Sequence, residues 1–176
     1  MSYYNPPLEV GEYTTSSVLS GDLKKTYRLN AGVFRWVTNS AAITNAGGKV
    51  LAHSFATTTG LMTGTVIETA TATDYRVAGV IPLGTSGQGG AILATTTLAA
   101  NSYFLLQLNG ESKVQANTTV SAGAALITTT TAGFAGSMGS GVEAAAAVAG
   151  YFGYATNTAV ATVAGGLITC VLTGVA

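Results

Sequence analysis

Few residues in this sequence could carry out acid–base, nucleophilic or metal chemistry, and they are scattered. His53 is the only histidine, so neither a two-histidine metal set nor a Ser-His relay with a second base can be assembled. Ser54 adjoins it, but successive strand residues face opposite sides, which works against direct pairing. His53 therefore reads as a polar structural residue at a strand end. Cys170, the only cysteine, lies in an apolar run with no basic neighbour in sequence to stabilise a thiolate, and reads as packing. A single cysteine forms no internal disulfide, in keeping with synthesis in a reducing cytoplasm. Glu68 and Asp74 could share a face. Both adjoin threonine-rich turns, and they read as surface acids rather than a glycosidase pair.

The glycine clusters offer no better chemistry. Gly87-Gln88-Gly89-Gly90 and Gly136-Ser137-Met138-Gly139-Ser140-Gly141 look like fragments of phosphate loops. Neither is followed by the Lys-Ser or Lys-Thr that a nucleotide loop uses to hold phosphate and magnesium, so both read as hairpin tips. The sequon Asn117-Thr118-Thr119 has no meaning without secretion. No catalytic, cofactor-binding or metal-ligating residues are expected, and the chain is not expected to be an enzyme.

The elements that must position these residues follow from composition and turn chemistry. Charged residues make up only 8% of the 176 residues, and basic and acidic residues balance at seven each. That balance gives no field for nucleic acid or an acidic membrane. With 48% hydrophobic residues the chain buries a core, and its neutral surface gives little protection against self-association. The start, Met1-Ser2-Tyr3-Tyr4-Asn5-Pro6-Pro7, lacks the basic and apolar blocks of a signal peptide. The run from Val142 onward is broken by Gly150, Gly153, Gly165 and Gly166 and reads as short pieces rather than a membrane helix.

Two regions are expected. Residues 1–40 hold Lys24, Lys25, Arg28 and Arg35 with Tyr3, Tyr4, Tyr13, Tyr27, Phe34 and Trp36, and Pro6-Pro7 forces an extended backbone. They read as an extended N-terminal arm and lead-in. Residues 41–176 read as an all-β domain, a small β-barrel or a β-tulip or sandwich. Asn45-Ala46-Gly47-Gly48 is a turn, and strands are expected at 49–53, 63–69, 75–81, 103–108 and 112–116. Asn109-Gly110 is the strongest hairpin signal. The alanine-rich run 143–149 reads as either helix or strand. A weak repeat is visible: Ala78-Gly79-Val80-Ile81 leads to an apolar strand, 104–110, that closes on glycine. Ala149-Gly150-Tyr151-Phe152 leads to another, 167–174.

The string Ser121-Ala122-Gly123-Ala124-Ala125-Leu126-Ile127-Thr128, followed by Ala132-Gly133-Phe134, Ala149-Gly150-Tyr151-Phe152-Gly153-Tyr154-Ala155 and Gly165-Gly166-Leu167-Ile168-Thr169-Cys170-Val171-Leu172, resembles the capsid cement, or head decoration, proteins of tailed bacteriophages. Gly48-Lys49-Val50 and Ala78-Gly79-Val80 fit the same scheme. Ala124 stands where that pattern often has an acid, and the residues before 40 have no counterpart in it. The resemblance covers residues 45–176. It implies a β-barrel or β-tulip domain, usually a homotrimer, seated on the outer surface of the virion where major capsid protein subunits meet.

The expected function is therefore structural: decoration and stabilisation of a capsid, with the major capsid protein and other copies of the chain as partners. No cofactor, nucleic acid or membrane partner is expected. Capsid contacts are expected from Tyr3, Tyr4, Pro6, Pro7, Tyr13, Arg28, Arg35 and Trp36, because aromatic residues and arginine dominate interface energetics. A carbohydrate-binding or adhesion module, and another virion component such as a tail protein, are the alternatives.

Overall fold

The computed structural model describes residues 12–13, 25–29, 32–70, 76–84, 92–138, 151–158 and 166–173. Tyr3, Tyr4, Pro6, Pro7, Asp74, the 86–90 loop and the 143–149 run lie outside the described residues. Among those described, every regular element is a β-strand. The first six are β1 (Glu12–Tyr13), β2 (Thr26–Leu29), β3 (Gly32–Asn39), β4 (Val50–Phe55), β5 (Met62–Glu68) and β6 (Val77–Val80). They are followed by β7 (Tyr103–Ala116), β8 (Ala125–Thr128), β9 (Ala135–Ser137), β10 (Tyr151–Ala155) and β11 (Gly166–Thr173). The protein is all-β, as its alternating apolar runs and glycine turns predict. In β11, for example, Ile168, Cys170 and Leu172 are buried, while Thr169 and Val171 between them are partly exposed.

The strands close into two five-membered rings that share β7. In the first, β3 pairs in parallel with β5, β5 with β4, β4 with β6, β6 with β7, and β7 returns to β3. In the second, β7 pairs in parallel with β9, β9 with β8, β8 with β10, β10 with β11, and β11 returns to β7. Closure leaves the rings themselves no open edge.

The registers of the two rings correspond residue by residue. Leu51 faces Gly79 and Val50 faces Val80 in the first, as Leu126 faces Gly153 and Ala125 faces Tyr154 in the second. Both rings then skip one residue, so that Ala52 faces Val77 and Ile127 faces Tyr151. Trp36 faces Leu105 as Lys113 faces Thr169. The turns agree too: Gly48 N donates to Ile81 O at 2.8 Å, and Gly123 N to Ala155 O at 2.8 Å. The repeat visible in the sequence is therefore a structural duplication, with one change of alignment. Gly79 corresponds to Gly153 rather than Gly150, because the pairing with Leu51 and Leu126 sets the register.

The interiors are filled by corresponding positions with compensating volumes. Val37, Leu51, Val66, Ala78, Phe104 and Leu106 fill the first barrel, together with Ile43, Ile81, Ile92 and Leu98 from its connections. Val114, Leu126, Ala135, Phe152, Ile168 and Cys170 fill the second. Val66 becomes the smaller Ala135, while Ala78 becomes the larger Phe152, which keeps the packed volume roughly constant. A third cluster lies on the other side of β3 and β7, where Phe34, Trp36 and Leu105 pack with Tyr27, Leu29 and Tyr103.

Two features differ from the sequence expectation. Asn109-Gly110 does not reverse the chain. Strand β7 runs straight through it for 14 residues, with Gly110 at φ +98°. The first half of β7 pairs with β3 and the second with β11, so each half has its own partner and neither folds onto the other. The lead-in to the β-domain also enters the sheet well before residue 40, since β2 and β3 are built into it.

Gly79 and Gly153 mark the same close approach in each barrel. A Cβ on Gly79 would lie 2.4 Å from Gln107 O, and one on Gly153 would lie 2.4 Å from Val171 O. Those main-chain atoms are held by their own pairings and have little room to yield. Gly79→Ala and Gly153→Ala are each expected to lower unfolding free energy by about 2–3 kcal/mol through overpacking, measured by urea denaturation. Ala99→Gly, on an exposed connection, is the comparison and should change stability by less than about 1 kcal/mol.

Candidate functional site

Two of the residues singled out for chemistry, His53 and Cys170, are placed inside the barrels. His53, on β4, is buried, and Arg35, on β3, reaches it with Nη1 3.2 Å from His53 Nε2. A guanidinium only donates, so Nε2 is the acceptor and the imidazole in this contact is neutral with its proton on Nδ1. Burial lowers the Arg35 pKa from its ordinary value. In the second barrel the corresponding positions are Ser112 and Thr128, so the Arg35–His53 pair is a feature of the first barrel alone. The Cys170 Sγ lies in the second core, 3.7 Å from Ser112 O. Burial, followed by the charge of Glu111, pushes the thiol up to about 12. Among the described residues no group of three or more His, Cys, Asp or Glu is placed to hold a metal ion. No described helix is long and apolar enough to cross a membrane.

The expected contact residues that the structure describes differ in placement. Arg28 is exposed on β2. The backbone of Tyr13 pairs with Tyr103 through β1. Trp36, expected to face a partner, is instead buried at 1% exposure, with its ring stacked 6.3 Å from that of Tyr103. It is covered because β2 and Tyr103 close over β3, so its apolar area stabilises the sheet. Arg35 is likewise turned into the barrel mouth. Of the described members of that set, Arg28 faces solvent while Arg35 and Trp36 are drawn into the fold.

The polar residues that do converge lie where the barrels join. Lys49 and Glu68 form an ion pair with Lys49 nearly buried, and the Lys49 ammonium lies over the Phe134 ring at 5.5 Å from its centroid. Gln115 Nε2 donates to Gly47 O at 2.7 Å and also to Asn45 O, and Gln115 N donates to Gly48 O at 2.8 Å. These bonds tie the second half of β7 to the turn that opens β4.

Part of what faces solvent is apolar. Phe55, Leu61, Leu93, Met138, Tyr151 and Tyr154 are the large hydrophobic side chains exposed among the described residues. Tyr151, Tyr154 and Met138 share the outer face of β8–β10, where Tyr154 pairs with Ala125 and Met138 N donates to Ala125 O at 2.9 Å. Sequence reasoning missed this face. Tyr151 and Tyr154 are three residues apart, which in a regular strand would place them on opposite sides. The skipped residue between Tyr151 and Gly153 brings both outward. Nothing in the linear sequence marks this skip, which is set by the pairing with β8.

Fold and surface together define a double β-barrel protein with a charge-poor, partly apolar exterior. No protein-family model matches the chain, and no curated protein matches it in sequence. Among solved structures it is similar to the head fiber gp8.5 N base of bacteriophage phi29. That likeness has 15% sequence identity and a TM-score of 0.45, over 80% of this chain and 92% of that one.

Two outcomes follow from the buried groups. Cys170 should resist thiol reagents in the folded protein at mildly alkaline pH and react only at the rate of unfolding, followed with a chromogenic disulfide reagent. Its raised pKa also carries a sign. The neutral thiol's contribution to stability is complete below the unfolded pKa and is lost as pH rises toward about 12. Stability should therefore fall over that alkaline range more steeply than in Cys170→Ala. Lys49→Ala should cost about 2–3 kcal/mol, less than a fully buried pair because Glu68 keeps some solvent, measured by chemical denaturation.

Proposed function

We propose that this chain is a non-enzymatic structural protein of a tailed-phage virion that decorates the outer surface of the capsid as a homotrimer and stabilises it by bridging major capsid protein subunits. The observation that carries this reading is the pairing of a rigid, doubly closed β scaffold with an exposed apolar face in a chain of only 8% charged residues. Such a surface is suited to close packing against protein, because few charges must be desolvated. The cement-protein resemblance over residues 45–176 points the same way. Reinforcement follows from repetition: each copy adds buried area that must be lost before the shell opens, and many modest contacts act together.

In this reading the segment before β2 docks to the capsid, with Tyr3, Tyr4, Pro6, Pro7 and Tyr13 supplying anchors and Arg28, exposed on β2, adding a cation. The aromatic burial offsets the entropy of ordering. A sugar-binding module is the second reading, favoured by Tyr151 and Tyr154 lying exposed on one strand.

Deletion of residues 2–20 is expected to leave a folded oligomer that binds undecorated shells at least tenfold more weakly in a co-sedimentation assay. Wild-type binding by the truncated protein would move the contact onto the barrels. His53→Gln, Cys170→Ala and Glu68→Gln should each bind shells as wild type does, apart from stability losses of about 1 kcal/mol. Cell-surface glycan binding that Tyr154→Arg abolishes would establish the second reading instead.

A further inference from the structure

Beyond the shared β7 and the Gln115 bonds, the two barrels meet through a contact whose two halves are both repeated elsewhere in the chain. In that contact the 129–134 turn of the second barrel lies against the start of β4 and the end of β5 of the first. Gly133 N donates to Thr69 O at 2.7 Å, Val50 N donates to Gly133 O at 2.8 Å, and Phe134 lies under the Lys49 ammonium. Val50, Val77 and Val80, on the outer face of the first barrel, are buried there as part of the second barrel's core.

The turn recurs at 56–61. Ala56 N donates to Leu61 O at 2.9 Å, as Thr129 N donates to Phe134 O at 3.3 Å. Gly60 has φ +66° where Gly133 has +76°. The residues also correspond, Thr57-Thr58-Thr59-Gly60-Leu61 to Thr130-Thr131-Ala132-Gly133-Phe134. The receiving face recurs as Ala125, Tyr151 and Tyr154, which hold the register positions of Val50, Val77 and Val80. Met138 recurs in place of Thr69: Met138 N bonds Ala125 O as Thr69 N bonds Val50 O.

Both recurrences are exposed. A Cβ on Gly133 would meet Lys49 at 2.7 Å, whereas one on Gly60 would find nothing within 4 Å. Leu61 is 67% exposed beside Phe55 at 42%, while Tyr154 is 41%, Tyr151 39% and Met138 36% exposed. Of the large exposed hydrophobic side chains among the described residues, only Leu93 lies outside these two patches.

We infer that the chain assembles head to tail with further copies of itself, the 56–61 turn of one copy seating on the Ala125, Met138, Tyr151 and Tyr154 face of the next. The occupant is a second copy because the chain carries both halves of a contact it already makes internally, one half free at each end. The contact is heterologous, so it closes into a ring if the rotation per copy permits and otherwise propagates. Tyrosine in place of valine keeps the face apolar while giving each ring a hydroxyl for water before assembly. This inference does not rest on the virion reading, and purified protein suffices to test it.

The test is sedimentation velocity of wild type, Leu61→Asp, Tyr154→Arg and an equimolar mixture of the two variants. Wild type should sediment as an oligomer, and each variant as a folded monomer with an unchanged melting temperature and β-sheet circular dichroism. The mixture should form a species of two chains, because one intact turn and one intact face remain between them. Phe55→Asp and Tyr151→Arg form a second pair should either first variant fold poorly. A monomeric wild type, variants that assemble as wild type does, or a mixture of folded variants that stays monomeric would each overturn the inference. Shell binding, measured separately, would report on the virion reading alone.

Discussion

The structure depends on one strand serving two barrels. A five-stranded barrel needs each strand hydrogen-bonded on both sides, and β7 meets that demand twice because its length allows a change of partners midway. Asn109 stands at the handover, facing Val33 on one side and Thr173 on the other. Gly110, at positive φ, carries the strand through the handover without the steric cost a side chain would bring. Gln107 supports the joint from within: its Nε2 donates to Glu111 O at 2.8 Å and to Asn109 O at 3.2 Å, satisfying carbonyls at the handover. A hinge between two separate domains would require a linker. Here the connection is a strand whose backbone is paired along its length, so neither barrel can turn without breaking its own ladder.

Sharing a strand also sets what the duplicated halves could change. Positions that face a neighbouring strand's backbone stayed glycine, as at Gly79 and Gly153, because the distance to the opposing carbonyl leaves no room for a side chain. Core positions exchanged volume in compensation, with Val66 and Ala78 matched by Ala135 and Phe152. Positions at the barrel mouth changed character altogether. Arg35 and His53 close the first mouth with a polar contact, whereas Ser112 and Thr128 stand there in the second, beside Cys170.

Much of the strand order was legible because alternation and glycine turns are local signals. The strands at 49–53, 63–69 and 75–81 appear as β4, β5 and β6 with small shifts at their ends. The turn at Asn45-Ala46-Gly47-Gly48 forms with Asn45 and Gly48 at positive φ. What failed was whatever depended on a distant partner. Asn109-Gly110 has hairpin chemistry, but a hairpin would have to outcompete pairing with β3 and β11, which satisfies more backbone groups. Aromatic and basic residues at 26–39 look like a docking segment only while their neighbours are unknown. In the fold, Phe34 and Trp36 face a cluster closed by Tyr27 and Tyr103, which no linear pattern announces. The exposed tyrosines were hidden for the same reason, since a skipped residue changes which side a side chain faces and the skip is fixed by pairing with β8.

The contrast between the two outer faces follows from the order of the repeats. The first barrel's face is covered by the second, and it is built from Val50, Val77 and Val80, stiff side chains that fill a dry contact well. The second barrel has no third barrel after it among the described residues, and an all-valine face there would be a water-exposed apolar patch of the kind that promotes indiscriminate association. Tyr151 and Tyr154 change that balance. Their rings retain contact area, while their hydroxyls can meet water before any partner arrives. Drift toward a surface that no longer binds would be expected to admit Lys, Glu or Asp at such positions, as solvent-facing strand residues commonly do. The face instead carries two tyrosines, a methionine and an alanine. The second face thus keeps the apolar character of the first in a form that tolerates exposure.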